Sequence, residues 1–265
     1  MDLELTELHV HVGVSVSATM LWEMAHDQGI KLPTKDYWEF EKLVTLQKKE
    51  SLNDYLEKFK LTELIQSSPE AMFTAIETAI SGAFRKNNIT VLELRYNPLF
   101  RNRGVVGIDL AGAYSGGTTA KMIKPLVDQA RAAGLGITIH SGETADAAEM
   151  WEVVRKLRPE RIGHGIACVR DKKLMRYLAK EEIVLEVCPT SNINAKVVKG
   201  YAELKSIFKA LLEYGVKFTI NTDGPEMQQV NLREERRRLA VNQVLTEKQL
   251  LIANQIAKEA SFIHE

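Results

Sequence analysis

Short apolar runs, each followed by a loop and then by helical periodicity, recur along the second half of the chain at residues 105–110, 135–140, 161–164, 183–188 and 216–221. Their starts lie 30, 26, 22 and 33 residues apart, the span of one strand plus one crossover helix. The pattern therefore predicts parallel β/α units. Two further runs, 7–12 and 89–95, bring the predicted strands to seven. Between these two, about 75 residues read as several helices, including 18–28, 51–65 and 69–86. Such an elaborated first crossover, about 17–87, is placed to act as a lid over one barrel mouth. The stretch 231–264, rich in Glu, Arg, Leu and Ala, reads as closing helices. One junction breaks the rhythm, because only residues 99–104 separate the strand ending near Pro98 from the strand starting at Val105. A parallel crossover needs roughly a dozen residues. Either the two segments are not adjacent parallel strands, or a strand and helix are absent before Gly104; one more strand would make eight.

Composition narrows the class without changing this picture. The 265 residues are 45% hydrophobic and carry 35 basic against 35 acidic side chains. A chain of this length suits one α/β barrel domain over residues 1–265. A zero net charge argues against nucleic-acid and membrane-surface partners, which require a concentrated excess of Lys and Arg. Two cysteines, Cys168 and Cys188, make no disulfide framework. The first nine residues have no basic start, and no window approaches about 18 uninterrupted apolar residues. The expected compartment is the cytoplasm.

Candidate chemistry gathers at predicted strand ends. His9 and His11 are spaced i, i+2, which on a strand turns both imidazoles to one face. An isolated pair of this kind is as readily a pair of core or surface histidines, so other ligands must decide. His140, His164 and Asp223 supply them, each at the C-terminal end of a predicted strand, where a parallel barrel assembles its active site. His26 and His264 lie in helical context and read as surface or packing residues. Imidazole nitrogens with one carboxylate oxygen suit Zn²⁺, and a position left for water makes such a site catalytic. Glu143, three residues beyond His140, is placed to donate a proton beside the metal.

Six ordered motifs then carry a resemblance: Leu8-His-Val-His11, Gly107-Ile-Asp-Leu-Ala-Gly112, Ile139-His-Ser-Gly-Glu143, Arg161-Ile-Gly-His-Gly165, Cys188-Pro-Thr-Ser-Asn192 and Thr222-Asp223. In this order they resemble the adenosine deaminase family of the amidohydrolase superfamily. The resemblance implies a TIM-type (β/α)₈ barrel binding one zinc through His9, His11, His140 and Asp223. It makes Glu143 the proton donor, His164 the residue that orients the attacking hydroxide, and Gly112 a backbone contact to a purine nitrogen. Leu52, Tyr55, Leu56 and Phe59, at i, i+3, i+4 and i+7, correspond to apolar residues that cover the nucleoside; an ordinary buried helix face has the same spacing.

Two departures bear on substrate. Gly13 stands where classical family members carry an acidic residue toward a ribose hydroxyl, and Gly224 where they carry a second Asp toward the purine imidazole edge. The expected activity is a zinc-dependent hydrolytic deamination of an aminopurine, nucleoside or related heterocycle, releasing ammonia, with adenosine itself a poor substrate. Two other readings follow from the same residues: a mononuclear amidohydrolase cleaving a cyclic amide, and a metal-binding barrel without catalysis. Intact Glu143 and His164 count against the latter. A binuclear site is disfavoured because 110–112 offers no Lys or Glu to bridge two metals.

Overall fold

A computed structural model describes residues 3–49, 51–96, 105–111, 119–144 and 146–263, with the backbone but not the side chains of 52–55. The junction 99–104, Gly112 and His264 lie outside the described residues. The chain divides into two compact units, one of residues 1–100, 188–200 and 221–238, the other of residues 101–187, 201–220 and 239–265.

The first unit opens with β1 (Leu5–His11), followed by α1 (Ala18–Asp27), α2 (Tyr37–Val44), α3 (Leu52–Ile65), α4 (Pro69–Asn87) and β2 (Ile89–Arg95). β1 and β2 pair in parallel, with Val10 opposite Leu94 and His11 opposite Arg95. The helices start where polar side chains satisfy orphan backbone donors: Ser17, Asp36 and Ser68 accept from Met20, Glu39 and Ala71. α4 stops at Asn88, whose left-handed backbone ends the helix. Val12, Val16, Leu21, Met24, Phe40, Val44 and Ile65 form the core under these helices. α8 (Pro189–Asn194) and α10 (Pro225–Gln228) belong to this unit, and α11 (Leu232–Val241) begins in it.

The second unit holds a five-stranded parallel sheet in sequential order: β3 (Gly107–Leu110), β4 (Gly136–Ser141), β5 (Arg161–His164), β6 (Val184–Val187) and β7 (Phe218–Ile220). Its helices are α5 (Ala120–Ala132), α6 (Ala147–Lys156), α7 (Lys172–Lys180), α9 (Tyr201–Tyr214) and α12 (Glu247–Ala260). Strands buried on both faces read as near-continuous apolar runs. Ile137, Ile139, Val127, Val153 and Leu157 make a core between strands and helices. Within the sheet, Arg161 and Glu186 form a buried ion pair at 2.7 Å, and Arg161 also donates to Thr138 and to the Ala260 carbonyl. The Arg161 guanidinium stacks 3.6 Å from the Phe262 ring, which lies so close to Gly136 that any Cβ there would collide with it.

The described residues thus hold seven parallel strands, at the places the apolar runs predict. β3, β6 and β7 are shorter than their runs, 216–221 contracting to Phe218–Ile220, because residues near a strand end can be apolar without pairing, whereas β1 starts earlier than its run, at Leu5. No described helix is long and apolar enough to cross a membrane.

Candidate metal and catalytic site

The first unit brings His9, His11 and Asp223 together. β1 turns both rings to one face, with centroids 5.2 Å apart. Asp223 reaches them through the backbone: the Asp223 N–H donates to the His9 carbonyl at 2.9 Å, and the His11 N–H donates to the Asp223 carbonyl at 2.8 Å. This bridge on β1 places Asp223 Oδ1 3.4 Å from His11 Nε2 and 3.7 Å from His9 Nε2. Asp223 adopts φ +68°, a left-handed conformation that Asp tolerates better than most residues. Its Oδ2 accepts from the Ser191 hydroxyl at 2.6 Å, fixing the carboxylate's rotation.

The second unit brings together His140, His164, Glu143 and Asp109. His140 near the end of β4 and His164 at the end of β5 lie edge to face, 5.3 Å between centroids. Glu143 Oε2 lies 3.9 Å from His164 Nε2. The buried His164 also takes a left-handed φ of +60°, a costly conformation of the kind that gathers at functional sites. Asp109 Oδ1 lies 3.0 Å from His140 Nδ1 and can only accept when ionised, which puts the ring proton on Nδ1 and leaves the Nε2 lone pair for a ligand.

Donor chemistry decides whether a metal fits. In the first unit alone, two imidazoles and a carboxylate offer ligand atoms within 4.8 Å of one another. This is a borderline-soft N,N,O set of the kind zinc takes. Arg95 works in the other direction, since its guanidinium lies 2.7 Å from His9 Nδ1 and donates to the Leu8 carbonyl. A guanidinium only donates, so this contact suits a neutral His9 with its proton on Nε2, and ligation through Nε2 requires that proton to shift to Nδ1 and the guanidinium to move away from it.

Arg95, Asp109 and Ser191 are residues that motif reading left without a role. Ser191 lies inside a quoted motif and Asp109 interrupts an apolar run, so both carried a signal; Arg95 became visible only through its register opposite His11. Phe59 lies edge-on to His11 at 6.0 Å and packs with Val14, Leu46 and Met227. Leu56, by contrast, is exposed. His26 sits outside both clusters, exposed, bonded to the Trp22 carbonyl and tilted against the Trp22 ring.

Two further carboxyls of the first unit are fully buried. Glu7 accepts from the Thr222 N–H at 2.8 Å and from the Thr222 hydroxyl, yet burial outweighs both bonds and raises its pKa to about 7. Glu235 accepts from the Thr190 N–H at 2.8 Å and is likewise pushed up by burial to about 7. Folded, these acids keep a proton that the unfolded chain releases near pH 4.5. Their stabilisation is therefore full below pH 4.5 and lost as the pH rises through about 7, on the order of 3 kcal/mol per group. Urea unfolding should accordingly show a lower midpoint at pH 8 than at pH 5.5. Glu235→Gln should flatten that slope, and an unchanged slope would remove Glu235 from the account.

Comparison with known proteins agrees with the motif order. The family model described as "Adenosine deaminase" matches residues 5–101 and 95–265, in two stretches that meet at the short junction. An adenosine deaminase of Shewanella denitrificans is 26% identical over 325 aligned residues, covering 100% of this chain and 96% of that protein. The alignment is longer than this chain, so the relative carries residues with no counterpart here. Among solved structures, an adenine deaminase from Arthrobacter aurescens superposes with a TM-score of 0.79 at 19% identity, over 100% of this chain and 95% of that one. An Arabidopsis protein, ADAL, complexed with IMP superposes with a TM-score of 0.82 at 20% identity, over 99% and 93%. These likenesses show the fold.

Proposed function

The chain belongs to the adenosine deaminase family, and from that premise we propose that it is a zinc-dependent hydrolytic deaminase of a 6-aminopurine. The observation that supports this most is the juxtaposition of His9, His11 and Asp223, residues far apart in sequence and joined by a backbone bridge. His140 is the fourth ligand by the motif order, with its tautomer set by Asp109. Bound zinc supplies Lewis-acid activation of water near neutral pH. Around it the chain's own groups divide the remaining work. His164 orients the attacking water toward the amino-bearing carbon. As the water oxygen bonds to that carbon, Glu143 donates a proton to the adjacent ring nitrogen; of the two water protons, one restores the Glu143 acid and the other goes to the amino group, so that as the C–N bond breaks ammonia leaves and the carbonyl product forms. Gly112, Leu52, Tyr55, Leu56 and Phe59 are proposed to line the base.

Relatives and structural neighbours carry the names or ligands of adenosine, adenine and purine nucleotide chemistry, so the substrate is proposed within that group. Zinc-loaded protein should release ammonia from at least one of adenosine, adenine and AMP. A protein with zinc bound that releases none from any of them would overturn the reading.

A further inference from the structure

Gly13 lies two residues past His11, buried in the tight turn at Val12–Val14 that follows β1. Its missing side chain leaves a space that another residue fills. A Cβ built on Gly13 would stand 2.7 Å from Glu63 Oε1, with the carboxyl carbon at 3.4 Å and Cγ at 3.5 Å. Glu63 comes from α3, one turn after Phe59, and residues four apart share a helix face. The same face of α3 therefore presents an aromatic ring to His11 and a carboxylate to Gly13. Among the described residues no hydrogen bond or ion pair satisfies the Glu63 carboxylate. Glu63 is exposed, so its carboxylate stands where a ligand can reach it, while the protein packed against it strips part of its water and raises its pKa.

We propose that Glu63 is the substrate's sugar-hydroxyl acceptor, a carboxylate delivered from α3 to the space that Gly13 leaves open. The inference rests on the deaminase reading and deepens it from aminopurine to nucleoside. A carboxylate beside the ligand set accepts a strong charge-assisted bond from a neutral hydroxyl. It repels a phosphate at the same place, so a nucleoside is favoured over a nucleotide, and a free base gains nothing from it. The absence of an acid at position 13 is thus a relocation of the acceptor. The backbone at Gly13 is not left-handed, so Asp fits its conformation; the obstacle to a side chain there is Glu63 itself.

The test compares zinc-loaded wild type, Glu63→Ala, Gly13→Asp and the double variant. Adenosine, adenine, AMP and the 2′-, 3′- and 5′-deoxyadenosines serve as substrates, and calorimetric binding of inosine against hypoxanthine is measured in parallel. Glu63→Ala should lower the adenosine-to-adenine ratio of kcat/KM about tenfold or more, mainly through KM, and should lower the inosine-to-hypoxanthine affinity ratio equally. One deoxyadenosine should fail to distinguish wild type from Glu63→Ala, naming the hydroxyl. Gly13→Asp alone should impair adenosine, because two carboxylates would crowd one space, whereas Gly13→Asp in the Glu63→Ala background should restore the ratio. Unchanged ratios in Glu63→Ala, or wild type that binds inosine no better than hypoxanthine, would overturn the proposal. Because the binding arm needs no turnover, a protein that binds inosine through Glu63 yet deaminates nothing would sink the deaminase reading alone.

Discussion

Replacing His11 with Ala should abolish metal binding and turnover together. His11 is the nitrogen donor nearest the Asp223 carboxylate, 3.4 Å away, and it stands on the strand that the Asp223 backbone grips. Removing its imidazole leaves a site that cannot hold a four-coordinate ion with the remaining donors at comparable strength. Metal content after dialysis should fall from about one zinc per chain to near zero, with ammonia release lost in parallel. The pairing of the two losses matters, because a residue that only shaped the pocket would spare the metal. Full occupancy in His11→Ala would refute the assigned ligand set.

Glu143→Gln should separate what His11→Ala joins. The amide keeps the size and much of the hydrogen bonding of the carboxyl but has no proton to deliver, so zinc should remain while kcat falls roughly 10²- to 10⁴-fold. Glu143 Oε2 lies 3.9 Å from His164 Nε2, beyond hydrogen-bond reach, which suits the two groups to separate tasks. Metal analysis beside steady-state rates on the best substrate checks it, and near wild-type turnover would exclude Glu143 as the proton donor. The two variants bracket the mechanism, one removing the ion and the other the acid.

Local sequence rules decided a good deal. The i, i+2 spacing of His9 and His11 on an apolar strand is sufficient to put both rings on one face, because the side-chain period of a strand is two. Apolar runs separated by helix-length intervals meet the requirement of parallel strands, since each parallel pair needs a crossover of a dozen or more residues. The positions of His140 and His164 near the ends of β4 and β5 followed from run boundaries alone. Capping residues such as Ser17, Asp36 and Ser68 likewise set helix starts through bonds a few residues long.

Other features exist only because residues distant in the chain meet. Asp223 reaches His9 and His11 through a backbone bridge to β1, and its rotation is set by Ser191; neither partner is encoded near it. Arg95 meets His9 because β2 pairs with β1 in one particular register. The raised pKa values of Glu7 and Glu235 come from burial, a property of the assembled unit that the residue type opposes. Gly13 shows the difference most clearly. Sequence determined that this position lacks a carboxylate, and from neighbours in the chain the acceptor was simply missing. Tertiary structure decided that α3 passes close enough for Glu63 to occupy the vacant side-chain space, because a glycine is defined by what it omits and only packing determines what fills it.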